Sequence, residues 1–167
     1  LSDISVNCPD EWKNDCRTIV DQYLNKEFSQ QISHKVDPYI FYRVLSEKVE
    51  EDSIIVPDAG QNVIAPSQAF NIKEQQRFFS SWANSPMGYS FPASIGAQLG
   101  SPGKQVIAII GDGGIQVNIQ DLQTIKHYSI PVKIFIVNNN VYGAILEFQD
   151  ADLEKRYEAT NNEHGYS

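Results

Sequence analysis

The chain has 167 residues, enough for one domain with a sizeable core. With 41% apolar and 20% charged residues it reads as a soluble globular protein, and a net charge of −8 argues against nucleic acid as a partner. No apolar run is long enough to span a membrane and no secretory leader pattern opens the chain. Cys8 and Cys16 form no Cys-x-x-Cys pair, so a reduced pair in a cytoplasmic protein is expected.

The periodicity predicts a helix over 9–25, with Trp12, Cys16, Ile19, Val20 and Tyr23 on one face. Residues 26–37 are polar and non-periodic and read as a linker. Pro38 then opens a second helix carrying Tyr39, Phe41, Tyr42, Leu45 and Val49. Ser53 to Val56 is a short strand ended by Pro57-Asp58-Ala59-Gly60, and a helix is expected from about Val63 to Phe70. Arg77 to Phe79 is a further strand. Pro92 to Leu99 is rich in small residues, which suits a helix packed tightly on a sheet.

The apolar run Val106 to Ile110 ends in Gly111-Asp112-Gly113-Gly114, a helix is expected from near Ile115, and a second apolar run, Val132 to Val137, ends in Asn138-Asn139-Asn140. The 24 residues between Gly113 and Asn138 fit one helix plus one strand of a βαβ unit. That unit puts a carboxylate and an amide at the carboxyl ends of two parallel strands, where open α/β sheets bind ligands. Gly113 and Gly114 let a phosphate approach the backbone, and the following helix would turn free N–H groups toward it. A bare Asp112 beside a diphosphate is repulsive unless a divalent cation stands between them. Magnesium, which takes oxygen ligands, would suit Asp112, the Asn139 amide and a nearby carbonyl. Two other readings compete at the triplet. It is also compatible with an ordinary strand-to-helix turn capped by Asp112. A dinucleotide fingerprint fails, since Gln116 holds the place of its last glycine.

Gly-Asp-Gly, a spacer of this size and Asn-Asn resemble the thiamine diphosphate motif. The runs Asn118-Ile119-Gln120-Asp121-Leu122-Gln123-Thr124 and Pro131-Val132-Lys133-Ile134 are similar to the acetolactate synthase and pyruvate oxidase group. The resemblance covers roughly residues 37–167. It implies a doubly wound parallel sheet with helices on both faces, the thiamine diphosphate-binding fold. Residues 1–36 would then be a lead-in helix and interdomain linker. Residues 37–167 would be the third of three domains, cut short at its C-terminal end.

The resemblance also implies roles, residue by residue. Asp112, Asn139 and the carbonyl of Val141 would bind magnesium. Gly111, Gly113 and Gly114, with Tyr142 and Gly143 after the Asn motif, would line the cofactor. Gly60 and Gln61 match a Gly-Gln pair placed beside the diphosphate, and Asn62 would donate there too. The family follows that pair with His, whereas Asn62 and Val63 stand here. On composition alone, Asp58–Asn62 reads equally well as a solvent-exposed turn. Met87 matches a wedge that bends the cofactor so that its own amino group meets the thiazolium C2 proton, and the Ser85 carbonyl matches the acceptor for that amino group. Read alone, a lone Met is more often core filler.

The implied function is that of the C-terminal cofactor-binding domain of an acetolactate synthase-like enzyme acting on pyruvate or another 2-oxo acid. The activating Glu and the pyrimidine-binding domain would come from a partner subunit in a homo-oligomer. Glu147, Glu154 and Glu158 match no such role. Two alternatives are a non-catalytic or regulatory subunit of the same family and a metal-dependent phosphoryl-transfer protein. The latter would need a Lys near the turn, and Lys104 precedes the strand instead. His34 lies in the linker, His127 on the helix face opposite Ile119, Leu122 and Ile125, and His164 near the chain end. His34 and His127 are poor candidates for a catalytic base, and the position of His164 gives no basis for a role.

Overall fold

The computed structural model describes residues 8–24 and 35–165. Most of the expected linker, with His34, lies outside the described residues. The first helix, α1, spans Asp10–Leu24 and leaves Trp12, Ile19 and Val20 of its apolar face exposed, with Cys16 half-buried. The second, α2 (Pro38–Lys48), begins where the proline predicts. Asp37 caps it, its carboxylate accepting from the amides of Tyr39 at 2.8 Å and Ile40 at 3.2 Å.

A four-stranded parallel sheet follows, built from β1 (Ile54–Pro57), β2 (Arg77–Phe78), β3 (Val106–Gly111) and β4 (Lys133–Val137) in the order β2-β1-β3-β4. The chain leaves β1 through α3 (Gln61–Ala69) to β2 on one side. It then crosses back through α4 (Ser90–Gly100) to β3 on the other. The order therefore reverses between β1 and β3, and a crevice opens outside their carboxyl ends.

Side chains alternate across the sheet. Ile55, Ile107 and Ile109 face a core with Tyr42 and Leu45 of α2, Val49 just after it, and Ala65 and Ala69 of α3. Ile54, Val56 and Val106 face the other way, onto Ala93 and Ala97 of α4. The small residues of α4 let it lie close on the strands. The fold class is the one the sequence implies, a parallel sheet with helices on both faces.

One element departs from expectation. The helix placed near Ile115 starts at Asp112 and splits into α5 (Asp112–Val117) and α6 (Asp121–Tyr128). Asn118 ends α5 with non-helical angles, φ −128 and ψ 28, and commits its side chain to a contact outside the helix, the carbonyl of Gly88 at 2.9 Å. Of the apolar residues opposite His127, Ile119, just before α6, is 54% and Leu122 42% exposed and Ile125 is half-buried, while His127 is exposed. The last helix, α7, spans Gly143–Asp152. No helix among the described residues is long and apolar enough to cross a membrane.

Candidate functional site

Four segments meet at the carboxyl edge of the sheet, three of them because a strand stops there. Asp58–Asn62 follows β1, Asp112–Gly114 follows β3, and Asn138–Gly143 follows β4. The fourth, around Ser85–Met87, enters from the connection between β2 and α4. Together they line a cleft of about 390 Å³, and every site residue singled out from the sequence borders it: Gly60, Gln61 and Asn62; Ser85 and Met87; Gly111 to Gly114; Asn139, Val141, Tyr142 and Gly143. Ala59, Val137, Ala144 and Ile145 also line it. They escape a sequence reading because small and apolar side chains carry no chemical signal.

Asp58 was the residue most in need of the tertiary structure. The reading of its turn as solvent-exposed fails at Asp58, which is only 2% exposed, while Gln61 is exposed and Ala59, Gly60 and Asn62 are half-buried. Its Oδ2 accepts from the Gly88 amide and its Oδ1 from the Ser90 amide, both at 2.9 Å.

The two halves of the motif touch through Asp112. Its Oδ2 accepts from the backbone amide of Asn140 at 3.0 Å, 28 residues on. The capping alternative is thereby corrected. Gly111 holds the cap position of α5 without a side-chain bond, and Asp112 lies inside the first turn with its carboxylate turned toward the β4 end. The Asn139 Oδ1 accepts from the Val141 amide at 3.2 Å, which folds the Asn run into a tight turn. Asn140 there has φ 57 and Ser85 has φ 42, both in the left-handed region that non-glycine residues avoid. Such backbone persists where the surroundings hold it, and both instances flank the cleft.

The glycines of the triplet serve packing as well as approach. A Cβ on Gly113 would overlap the Tyr142 ring, and one on Gly114 would stand 2.5 Å from the Asp58 carboxylate. Met87 is 40% exposed, so its thioether projects at the cleft rather than into a core. Lys104 pairs with Asp52 at 3.5 Å and does not border the cleft, which leaves phosphoryl transfer without its expected cation. Among the described residues no three His, Cys, Asp or Glu side chains gather. The oxygen ligands that the cleft offers are the carboxylate of Asp112, that of Asp58, which the Gly88 and Ser90 amides already occupy, and hydroxyls, side-chain amides and backbone carbonyls.

The sequence model described as "Thiamine pyrophosphate enzyme, C-terminal TPP binding domain" matches residues 58–166, well over half of the chain. The chain belongs to the thiamine pyrophosphate enzyme family. As a TPP-binding domain it is of the acetolactate synthase-like type. It is 33% identical over 124 residues to the acetolactate synthase large subunit of Lactococcus lactis subsp. lactis (strain IL1403), covering 74% of this chain and 22% of that one. With the acetolactate synthase large subunit of Cyanidium caldarium it shares 34% over 144 residues, covering 84% and 24%. Among solved structures it is similar to the Rhodococcus jostii RHA1 thiamine diphosphate-dependent 4-hydroxybenzoylformate decarboxylase. That likeness has a TM-score of 0.73 and 29% identity and covers 81% of this chain and 25% of that one. The TPP-binding domain thus spans about a quarter of the length of these relatives. The match takes in the strand ends after β1, β3 and β4, from Asp58 through the Asn turn.

Proposed function

We propose that the cleft holds the diphosphate end of thiamine diphosphate through a magnesium ion, in an enzyme that makes or breaks a carbon–carbon bond next to the carbonyl of pyruvate or another 2-oxo acid. One observation carries the reading: Asp112 bonds across to the Asn140 amide, so the only carboxylate of the triplet stands beside the Asn turn. A diphosphate would be repelled by that carboxylate, and a hard cation between them removes the conflict. Asp112, the Asn139 side-chain oxygen and the Val141 carbonyl form an all-oxygen set of the kind magnesium accepts, with phosphate oxygens and water completing it. The Gly113 and Gly114 amides lie at the start of α5 where an anion is favoured. Gln61 and Asn62 add polar groups from the β1 side.

The bound cofactor would supply the electron sink for carbanion chemistry. The chain's own part is positional. Met87 would press against the cofactor from the β2–α4 connection, and the Ser85 carbonyl would accept a hydrogen bond from its amino group. The cofactor's other half would be met by a partner subunit carrying the pyrimidine-binding domain and an activating Glu. The names of the relatives, large subunits of acetolactate synthase, support pyruvate as substrate.

Calorimetric titration of the full chain with thiamine diphosphate tests this. Binding should require magnesium and disappear with a chelator. Asp112→Ala should weaken it by about a hundredfold or more, the scale of a few kcal/mol for losing the one charged protein ligand of the bridging cation. Equal affinity with and without magnesium, or in the variant, would sink the assignment.

A further inference from the structure

Gly88, the residue after Met87, is held from both sides by side chains to which no role in the proposed function has been given. Its N–H donates to Asp58 Oδ2 at 2.9 Å, and its carbonyl accepts from Asn118 Nδ2 at 2.9 Å. Asp58 stands at the end of β1 and Asn118 at the end of α5, the helix that begins with the Gly-Asp-Gly turn. Gly88 has φ +87, and a Cβ there would come within 3.0 Å of the Gly114 carbonyl and of Val117, and 2.9 Å from Asn118 Nδ2. The segment that carries Met87 is therefore seated directly on the turn proposed to hold the diphosphate.

The Asp58 carboxylate is costly to bury. It is 2% exposed, makes no ion pair among the described residues, and is met by two backbone amides of a non-regular segment, Gly88 and Ser90. A charge buried this way favours one arrangement of its donors over all others, because any shift leaves it unpaired. Asp58 is anchored in turn. Its amide donates to the Ile109 carbonyl of β3 at 2.9 Å, and its carbonyl accepts from Ser80 Oγ at 3.1 Å.

We infer that Asp58 and Asn118 are positioning residues which, through Gly88, fix Met87 relative to the diphosphate turn, and so set the shape imposed on the cofactor rather than its affinity. This rests on the thiamine diphosphate reading of the cleft. The ordering itself is a property of the protein without cofactor and can be read there.

Met87 is the only methionine of the 167 residues, and its methyl signal can be assigned in the 13C-methyl-labelled full chain by loss in Met87→Leu. Asp58→Asn keeps the shape but turns an N–H donor against an amide. Asn118→Ala, at a half-buried position, removes the second tie with little risk to folding and keeps the test alive if Asp58→Asn does not fold. Without cofactor, the Met87 methyl should move toward the free-methionine position in both variants. In the complete enzyme with thiamine diphosphate and magnesium, C2 proton exchange should slow about tenfold or more while affinity changes by less than about threefold. An unmoved methyl signal in folded variants overturns the inference, as do equal losses of affinity and exchange. Absence of cofactor binding by the unaltered chain would instead overturn the cofactor reading, and this inference with it.

Discussion

Asp112 answers two demands that conflict unless a cation is present. Its carboxylate fastens the Asn140 amide, and the same position is where a diphosphate is proposed to bind. Met87 faces a different test at the same scale. Its side chain is 40% exposed and packs into no core cluster, so Met87→Ala should cost little stability, well below the about 2–5 kcal/mol of a buried Met→Ala change. Its effect should fall on C2 proton exchange more than on cofactor affinity, since the diphosphate anchors remain. NMR of the C2 proton in the complete enzyme, beside a denaturant melt, separates the two. A large loss of stability with normal exchange would make Met87 a packing residue only.

Among the elements, α2 carries the largest fully buried side chain of the described residues, Tyr42. Tyr42 is 1% exposed, and burial pushes its hydroxyl well above its usual value of 10.0. Folded Tyr42 therefore stays protonated where the unfolded chain ionises. Its contribution is complete below pH 10 and is lost as pH rises beyond it, by up to about 1.4 kcal/mol per pH unit. Urea unfolding of the full chain at pH 9, 10 and 11 should show that decline, and Tyr42→Phe should flatten it. An equal slope in the variant would show that the hydroxyl is not the titrating group. The split of the expected helix into α5 and α6 belongs to this scale too. The apolar periodicity through Ile119, Leu122 and Ile125 is continuous. The break comes from Asn118 bonding to Gly88, 30 residues away.

For the molecule as a whole, the cleft follows from strand order. Because the chain turns one way from β1 and the other way into β3, the helices leave the carboxyl ends of these strands uncovered. The cleft is also open, with Met87 partly exposed at its edge and nothing among the described residues closing over it. Carbanion chemistry needs water excluded and charges preorganised. The 167-residue chain by itself, supplied with pyruvate, thiamine diphosphate and magnesium, should therefore release carbon dioxide no faster than free cofactor. Turnover clearly above that background would mean that the site is complete within this sequence.

The parts of this protein legible from its sequence are those that depend on neighbours along the chain. Apolar runs stopped by turn residues mark β1, β3 and β4. Pro38 marks a helix start. The interval from Gly113 to Asn138 announces two parallel strands with a helix between them and so names the cleft segments after β3 and β4, whereas Gly60–Asn62 and Ser85–Met87 are named only through the family resemblance. Tertiary structure decided what depends on residues far apart. It made Asp58 a buried carboxylate rather than a surface turn, because the amides that satisfy it come from positions 88 and 90. It turned Asp112 away from capping α5 toward Asn140, and ended α5 at Asn118. It also gave Gly113 and Gly114 a packing reason, the Tyr142 ring and the Asp58 carboxylate, that no local pattern contains. Hydrogen bonds and close packing are short-ranged in space but not in sequence, so only the folded chain brings these partners together.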